Sequence, residues 1–423
     1  MFLIYNTLII LAITICLPII IFKVASDKNL KLGLKQRLTI YKRDFLNSVK
    51  KNRVIWIHAS SVGEVNISIQ LVKDLKKTLQ GNYIYLITTM TATGFTHAKN
   101  SKQFGNVAFV PFDVSFLIKR FLKIFSPELI LIAETEFWPN IFYNAHKQKI
   151  PLIVFNCRVS DKSVNTYLKF GFFFKKVLNN ASLFLCQNSI TKKRLEQLGV
   201  GHNKIILSKN IKFDIKLPDY TAESVYNELK IPGKNVKIIT AGSTHANEEE
   251  IILSIFDNLK KTHPNLLLII APRHPERAYD IAEIAKNKGI SYKLLSENFN
   301  KNFQLLIIDK IGLLTKAYSI SSICFIGGSL ILKGGHNPLE AVYYKKPVIS
   351  GKNIFNFSEI YNLLEQKEGV ILINNQSELE NEIIKLLTNN RYREKTATNG
   401  VKVLRENRGA IKITAESIKS FIK

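Results

Sequence analysis

Cysteine is scarce and scattered in this chain: Cys16, Cys157, Cys186 and Cys324 are the only four in 423 residues. None forms a C-x-x-C pair, which argues against a disulfide framework or a cysteine zinc site and leaves buried reduced thiols. Walker A, G-x-G-x-x-G and H-E-x-x-H sequences are absent. So is D-x-D, and with it the metal–diphosphate clamp of many sugar transferases. Acidic residues are the other shortage. Asp and Glu number 33 against 60 Lys and Arg, a formal charge of +27. Such an excess favours a polyanionic partner: nucleic acid, an anionic membrane surface or a phosphorylated substrate.

What the chain does have is apolar material, 46% of its residues, and a length that favours two domains over one core. Residues 2–22 carry no charge at all. At about 1.5 Å per residue they reach ~30 Å, enough for a bilayer core. No basic residue precedes the run, which favours an uncleaved anchor over a secretory signal. Ten Lys/Arg against two Asp lie between Lys23 and Arg53. The expectation is a single-pass anchor in the cell inner membrane, with the globular part on the cytoplasmic side and the basic flank on anionic headgroups.

From residue 54 apolar runs alternate with helical periodicity. Strands are expected at 54–58, 83–88, 107–110, 129–133, 152–156 and 183–187. After a linker around 208–222 they resume near 236–241, 266–271, 304–308, 322–326, 347–349 and 369–373. A basic helical tail covers about 377–423. Repeated βα units imply parallel sheets. The expected architecture is α/β: an anchor at 1–23, a Rossmann-like acceptor domain at 24–215, and a Rossmann-like nucleotide domain at 216–423 that includes the tail. Two such domains facing a cleft resemble the GT-B glycosyltransferases, although sugar epimerases and some kinases share the pattern.

Several strand ends carry chemistry. Glu64 follows the strand 54–58 in the first turn of a helix, where open α/β sheets place ligands. A carboxylate there complements the helix dipole or deprotonates an attacking hydroxyl. Glu134-Thr-Glu136-Phe-Trp-Pro139-Asn140 adds two acids after the strand 129–133, with Pro139 suited to a first helical turn. The basic loop from Asn156 to Ser163 is either an ordinary turn or a contact for an acidic acceptor.

In the second half, Gly242-Ser243-Thr244 is expected to open a helix and offer N–H groups to anions. Ala271-Pro272-Arg273-His274-Pro275-Glu276-Arg277 concentrates cations able to grip phosphate. The glycine pairs Gly327-Gly328 and Gly334-Gly335 allow close ligand approach. After them Asn337 caps and Pro338 opens a helix, and Glu340 lies within reach of ribose hydroxyls.

These stretches together resemble the Kdo (3-deoxy-D-manno-octulosonic acid) transferases of lipopolysaccharide synthesis. The matching pieces are His58-Ala-Ser-Ser-Val-Gly-Glu64, Glu134-Thr-Glu-Phe-Trp-Pro-Asn140, Asn210-Ile-Lys212-Phe-Asp214, the Ala271 to Arg277 segment and Gly334-Gly-His-Asn-Pro-Leu-Glu340. The resemblance implies an inverting enzyme, without metal or cofactor, that moves Kdo from CMP-Kdo to lipid IV A and has no nucleic-acid partner. It implies Glu64 as catalytic base and Glu134 and Lys212 as stabilisers of the transition state. CMP would be held by Pro272, Arg273, the turn Ile311-Gly312-Leu313, and Asn337, Pro338, Leu339 and Glu340. Two positions depart from the family: Leu313 replaces a common Glu, and Lys209 stands where Gly usually precedes Asn210. A UDP-sugar transferase or epimerase, and a non-catalytic basic membrane protein, are the competing readings.

Overall fold

The computed structural model describes the chain except residues 27, 50–51, 232, 234–235, 298–301 and 423, and the side chains of residues 17 and 20–32 are also set aside. The chain divides into two compact units, Met1–Asp214 with Arg408–Lys423, and Ile215–Asn407.

The first unit holds seven parallel strands: β1 (Arg53–His58), β2 (Tyr83–Thr89), β3 (Asn106–Phe109), β4 (Leu129–Ala133), β5 (Leu152–Cys157), β6 (Leu183–Cys186) and β7 (Ile205–Leu207). Their order is β3-β2-β1-β4-β5-β6-β7. The unbroken apolar runs arise because helices cover both faces. Trp56, Ile130, Ile132 and Val154 point into one core. Ile55, Ile57, Leu131 and Ile153 point into the other. Each fully buried side chain of this size contributes about 1.5–3 kcal/mol. The order reverses between β1 and β4, so the loops leaving those two strands diverge over a crevice at the sheet's carboxyl edge.

The second unit repeats the plan with β8 (Lys237–Thr244), β9 (Leu266–Pro272), β10 (Tyr292–Leu294), β11 (Leu305–Ile307), β12 (Ile323–Ile326), β13 (Val348–Gly351) and β14 (Ile371–Ile373). The order is β10-β11-β9-β8-β12-β13-β14, with the reversal between β8 and β12.

The tail departs from expectation. Residues 408–423 belong to the first unit, although the sequence pattern assigns them to the nucleotide domain. Ala410, Ala415 and Ile418 on the helix Ala410–Lys419 fill the core that covers Ile55 and Ile57. Asp214 fixes the helix start, its two carboxylate oxygens accepting from the Gly409 and Ile411 N–H groups at 2.6 Å each.

The apolar run near the amino terminus forms one helix, Phe2–Ser26. Among the described residues no helix is long and apolar enough to cross a membrane, so the expected span finds no support here. Polar contacts tie its first turns to the first unit. The Tyr5 hydroxyl donates to Asp113 at 2.9 Å, and Asn6 Oδ1 accepts from the Ser115 N–H at 2.8 Å.

Candidate active site

β1 ends at His58, and Ser61 caps the helix Val62–Thr78 that follows. Glu64 folds back over this start. Its carboxylate accepts from the Ser60 N–H at 2.7 Å and the Ser61 hydroxyl at 3.0 Å, tying it to the residues that open the helix. Capping and the helix end both favour the charged form. Burial opposes them most strongly, followed by the charge of Glu136 and then, with less weight, Glu134. The carboxyl is pushed up to about 8. The capping reading of Glu64 is therefore realised, in a side chain whose pKa is raised.

The second acid motif leaves β4, on the other side of the strand reversal. Glu134 takes a left-handed backbone, φ 54°. It meets Lys212 Nζ at 3.2 Å and accepts from Asn156 Nδ2 at 3.4 Å. Asn156 sits where the register of β5 against β6 shifts, also left-handed at φ 49°. There its Oδ1 accepts from the Ile211 N–H at 2.9 Å, which seats the turn carrying Lys212. Bulges re-aim side chains in this way beside functional sites. Lys209 adopts φ 65°, a left-handed conformation that glycine takes without the steric cost a side chain carries there.

Two further side chains complete the cluster. Glu136 accepts from Trp138 Nε1 at 2.7 Å and lies 3.8 Å from Nε2 of the fully buried His58. Burial raises its pKa, but the contacts with His58, Trp138 and Ser60 outweigh that and hold it below the usual carboxylate value. Glu64 and Glu136 are thus driven in opposite directions, the pattern that separates a proton acceptor from a permanent charge. A cavity of about 330 Å³ opens beside Glu136, its walls including Tyr5, Phe137, Trp138, Phe173 and Phe174. The E-T-E spacing signalled Glu136. Nothing in the spacing signalled His58 or Asn156, whose places depend on neighbouring strands. In the Asn156 to Ser163 loop, Ser160 is a helix cap and Asp161 pairs with Arg194.

In the second unit several expectations change. Gly242-Ser243-Thr244 lies inside β8 and does not open a helix. The next helix, Glu248–Thr262, begins four residues later. Gly327-Gly328-Ser329 is not free to cradle an anion through its N–H groups. Buried Glu248 accepts from Gly328, Ser329 and Leu330 at 2.7–2.9 Å, and from the His245 N–H at 3.2 Å. Gly327 is required for packing, since a Cβ there would stand 2.5 Å from the Ser243 carbonyl oxygen. Arg277 is committed to buried Glu249 at 2.5 Å.

Arg273 is different. Its N–H is fixed to Thr244 O at 2.9 Å while the residue is exposed. Asn337 Oδ1 accepts from the Leu339 N–H at 3.1 Å, with Pro338 at the start of the helix Leu339–Tyr343. Burial pushes Glu340 up to about 7, so hydroxyl donors from a ligand would favour its charged form. Ile311 is exposed, Gly312 has φ 93°, and Leu313 precedes the helix Leu314–Ile320. Among the described residues no group of three or more His, Cys, Asp or Glu is arranged to hold a metal ion.

Residues 33–215 match the family described as 3-Deoxy-D-manno-octulosonic-acid transferase (kdotransferase), and residues 226–403 match Glycosyl transferases group 1. The chain is 36% identical over 378 residues to a 3-deoxy-D-manno-octulosonic acid transferase of Haemophilus influenzae, covering 87% of each chain. It belongs to the Kdo transferase family. A Rickettsia conorii relative of the same description is 31% identical over 89% of this chain and 81% of its own. The family assignment makes the protein a glycosyltransferase. A Rickettsia africae glycosyltransferase structure superposes with TM-score 0.57 at 14% identity, covering 88% of this chain and 99% of that one. At that identity the likeness speaks for the two-domain glycosyltransferase fold alone.

Proposed function

We propose that this Kdo transferase family member moves Kdo from CMP-Kdo to lipid IV A, with inversion at the anomeric carbon and without a metal. The observation that carries the reading is Glu64, held near a pKa of 8 at the strand reversal and accompanied by the Glu134–Lys212 pair. A base of that strength accepts the acceptor hydroxyl proton as its oxygen attacks the anomeric carbon. The carbon–oxygen bond to phosphate breaks, and the electron pair leaves with CMP. Lys212 and Arg273 offset the charge that develops. Pro272, the turn Ile311 to Leu313, and Asn337, Pro338, Leu339 and Glu340 hold the nucleotide.

The Phe2–Ser26 helix exposes Leu3, Ile4, Leu8, Leu11, Ile15 and Ile19. We propose that this surface enters the inner membrane as the anchor. The basic flank then lies on anionic headgroups, and the two units stay on the cytoplasmic side.

Glu64→Gln tests the chemistry. Transfer to lipid IV A, followed by mass spectrometry, should fall at least a thousandfold while CMP affinity stays within about twofold. Turnover within tenfold of the wild type removes Glu64 from the base role. Product from UDP-sugars, with none from CMP-Kdo, removes the donor assignment.

A further inference from the structure

Two histidines at the strand reversal of the second sheet have no role in the reading above. His245 leaves the end of β8, and His336 lies in the segment after β12, beside Asn337. Their Nε2 atoms are 2.9 Å apart and their rings are inclined by only 10°. Gly328 is fitted against them: a Cβ there would stand 2.9 Å from His336 Cδ2. Tyr361 OH donates to His336 O at 3.0 Å, and His245 N–H donates to Glu248, so the backbone of each histidine is fixed.

An Nε2···Nε2 contact of this length needs one proton between two lone pairs. In the uncharged pair one ring donates and the other accepts. One Nδ1 then carries hydrogen and the other is bare, and neither has a hydrogen-bond partner among the described residues. A second proton would turn both Nδ1 atoms into donors, the form that suits an acceptor-only phosphate.

The neighbours explain why that proton is absent without a ligand. Burial acts most strongly on both rings, and the charges of His274, Lys333, Arg273 and Arg277 on His245, and of His245, Arg273 and His274 on His336, add to it, so His336 is lowered to about 4 and His245 is lowered too. The carboxylates nearby are already engaged. Glu248 serves four N–H groups, Glu249 holds Arg277, and Glu276 lies 3.8 Å from His274. A bound anion would supply the missing counter-charge.

We propose that the His245–His336 pair takes up one proton when a nucleotide phosphate docks at this strand reversal, and gives it to the phosphate oxygen freed by transfer. The proposal rests on the nucleotide-donor reading. As the anomeric carbon–oxygen bond breaks, its electron pair stays on the phosphate oxygen, and the Nδ1 proton taken up on docking moves there. CMP then leaves as a monoanion, the pair returns to its uncharged form, and Glu64 keeps the acceptor's proton until solvent removes it.

The test is calorimetric titration of the full-length protein with CMP at about pH 7.5, where free CMP is mostly a dianion, in buffers of different ionisation enthalpy. The wild type should take up about one proton more per CMP than H245Q or H336Q. Cytidine, which lacks the phosphate, should show no such difference. Equal proton counts in the wild type and both variants overturn the proposal. So does CMP binding to the wild type without proton uptake. If the wild type does not bind CMP, the donor reading falls first and takes the proposal with it. Should the variants fail to fold, imidazole ¹⁵N signals of the wild type read the same step. One ring Nδ1 should move from the bare toward the protonated range on adding CMP, and unchanged signals overturn the proposal.

Discussion

Replacing Glu136 by Gln should reshape the pH dependence of transfer in a way that only the raised base predicts. Glu64 starts from 4.5 and reaches about 8 through burial first and the Glu136 charge second. E136Q removes that charge and leaves the burial, so the midpoint should fall by roughly one unit, about 1.4 kcal/mol. At pH 7 a base of pKa 8 is about 9% ionised, and one of pKa 7 about half. The variant should therefore show higher kcat/KM than the wild type near pH 7, by about fivefold less the loss from its weaker base. Above pH 9 it should level off lower, because a weaker base removes the proton less well. The amide oxygen still accepts from Trp138, which keeps the local frame. The assay is kcat/KM from pH 5.5 to 9.5, which reports ionisations of the free enzyme. The stability sign follows from the same shift. Glu64 keeps its proton longer in the folded state than in the unfolded chain, so its contribution falls as pH rises from about 4.5 to about 8. Glu64→Gln should flatten that slope. A wild-type rate profile flat between pH 6 and 9, or an E136Q midpoint unchanged or higher, refutes the assignment.

Two further outcomes follow from the frame around the site. Lys209→Gly relieves a left-handed backbone and should stabilise the first unit by about 1 kcal/mol in urea unfolding. A loss of stability would mean that the Lys209 side-chain bond to Arg408 O outweighs the strain. Asp214→Ala removes two hydrogen bonds from the start of the helix Ala410–Lys419 and should cost about 2 kcal/mol. Hydrogen exchange should then quicken across 410–419 before it does in β1, and uniform protection would contradict the capping role.

Much of this protein was legible in its sequence, and the reasons are local. Strands buried on both faces write unbroken apolar runs, so twelve of the fourteen among the described residues were readable. β7 and β10 are three-residue edge strands whose apolar residues are too few and too mixed with polar neighbours to form a run, whereas β14, equally short and also at an edge, was readable from the run Val370 to Ile373. Pro139 and Asn337 acted at helix starts as their chemistry dictates. The Glu64 and Glu134 motifs were placed at strand ends by the βα rhythm alone.

Tertiary structure decided what those residues became. Strand order brought the ends of β1 and β4 to one reversal, and the resulting burial and charge pushed the pKa of a capping glutamate up to about 8. Packing spent the Gly328 to Leu330 N–H groups on Glu248 and Arg277 on Glu249, although in isolation the first stretch read as a place of close ligand approach and the second as a phosphate grip. It also returned the tail to the first unit through Asp214, 194 residues before Arg408. The sequence determines which atoms are available and which period they follow. Long-range pairing determines which of them are left unsatisfied, and chemistry is done by those.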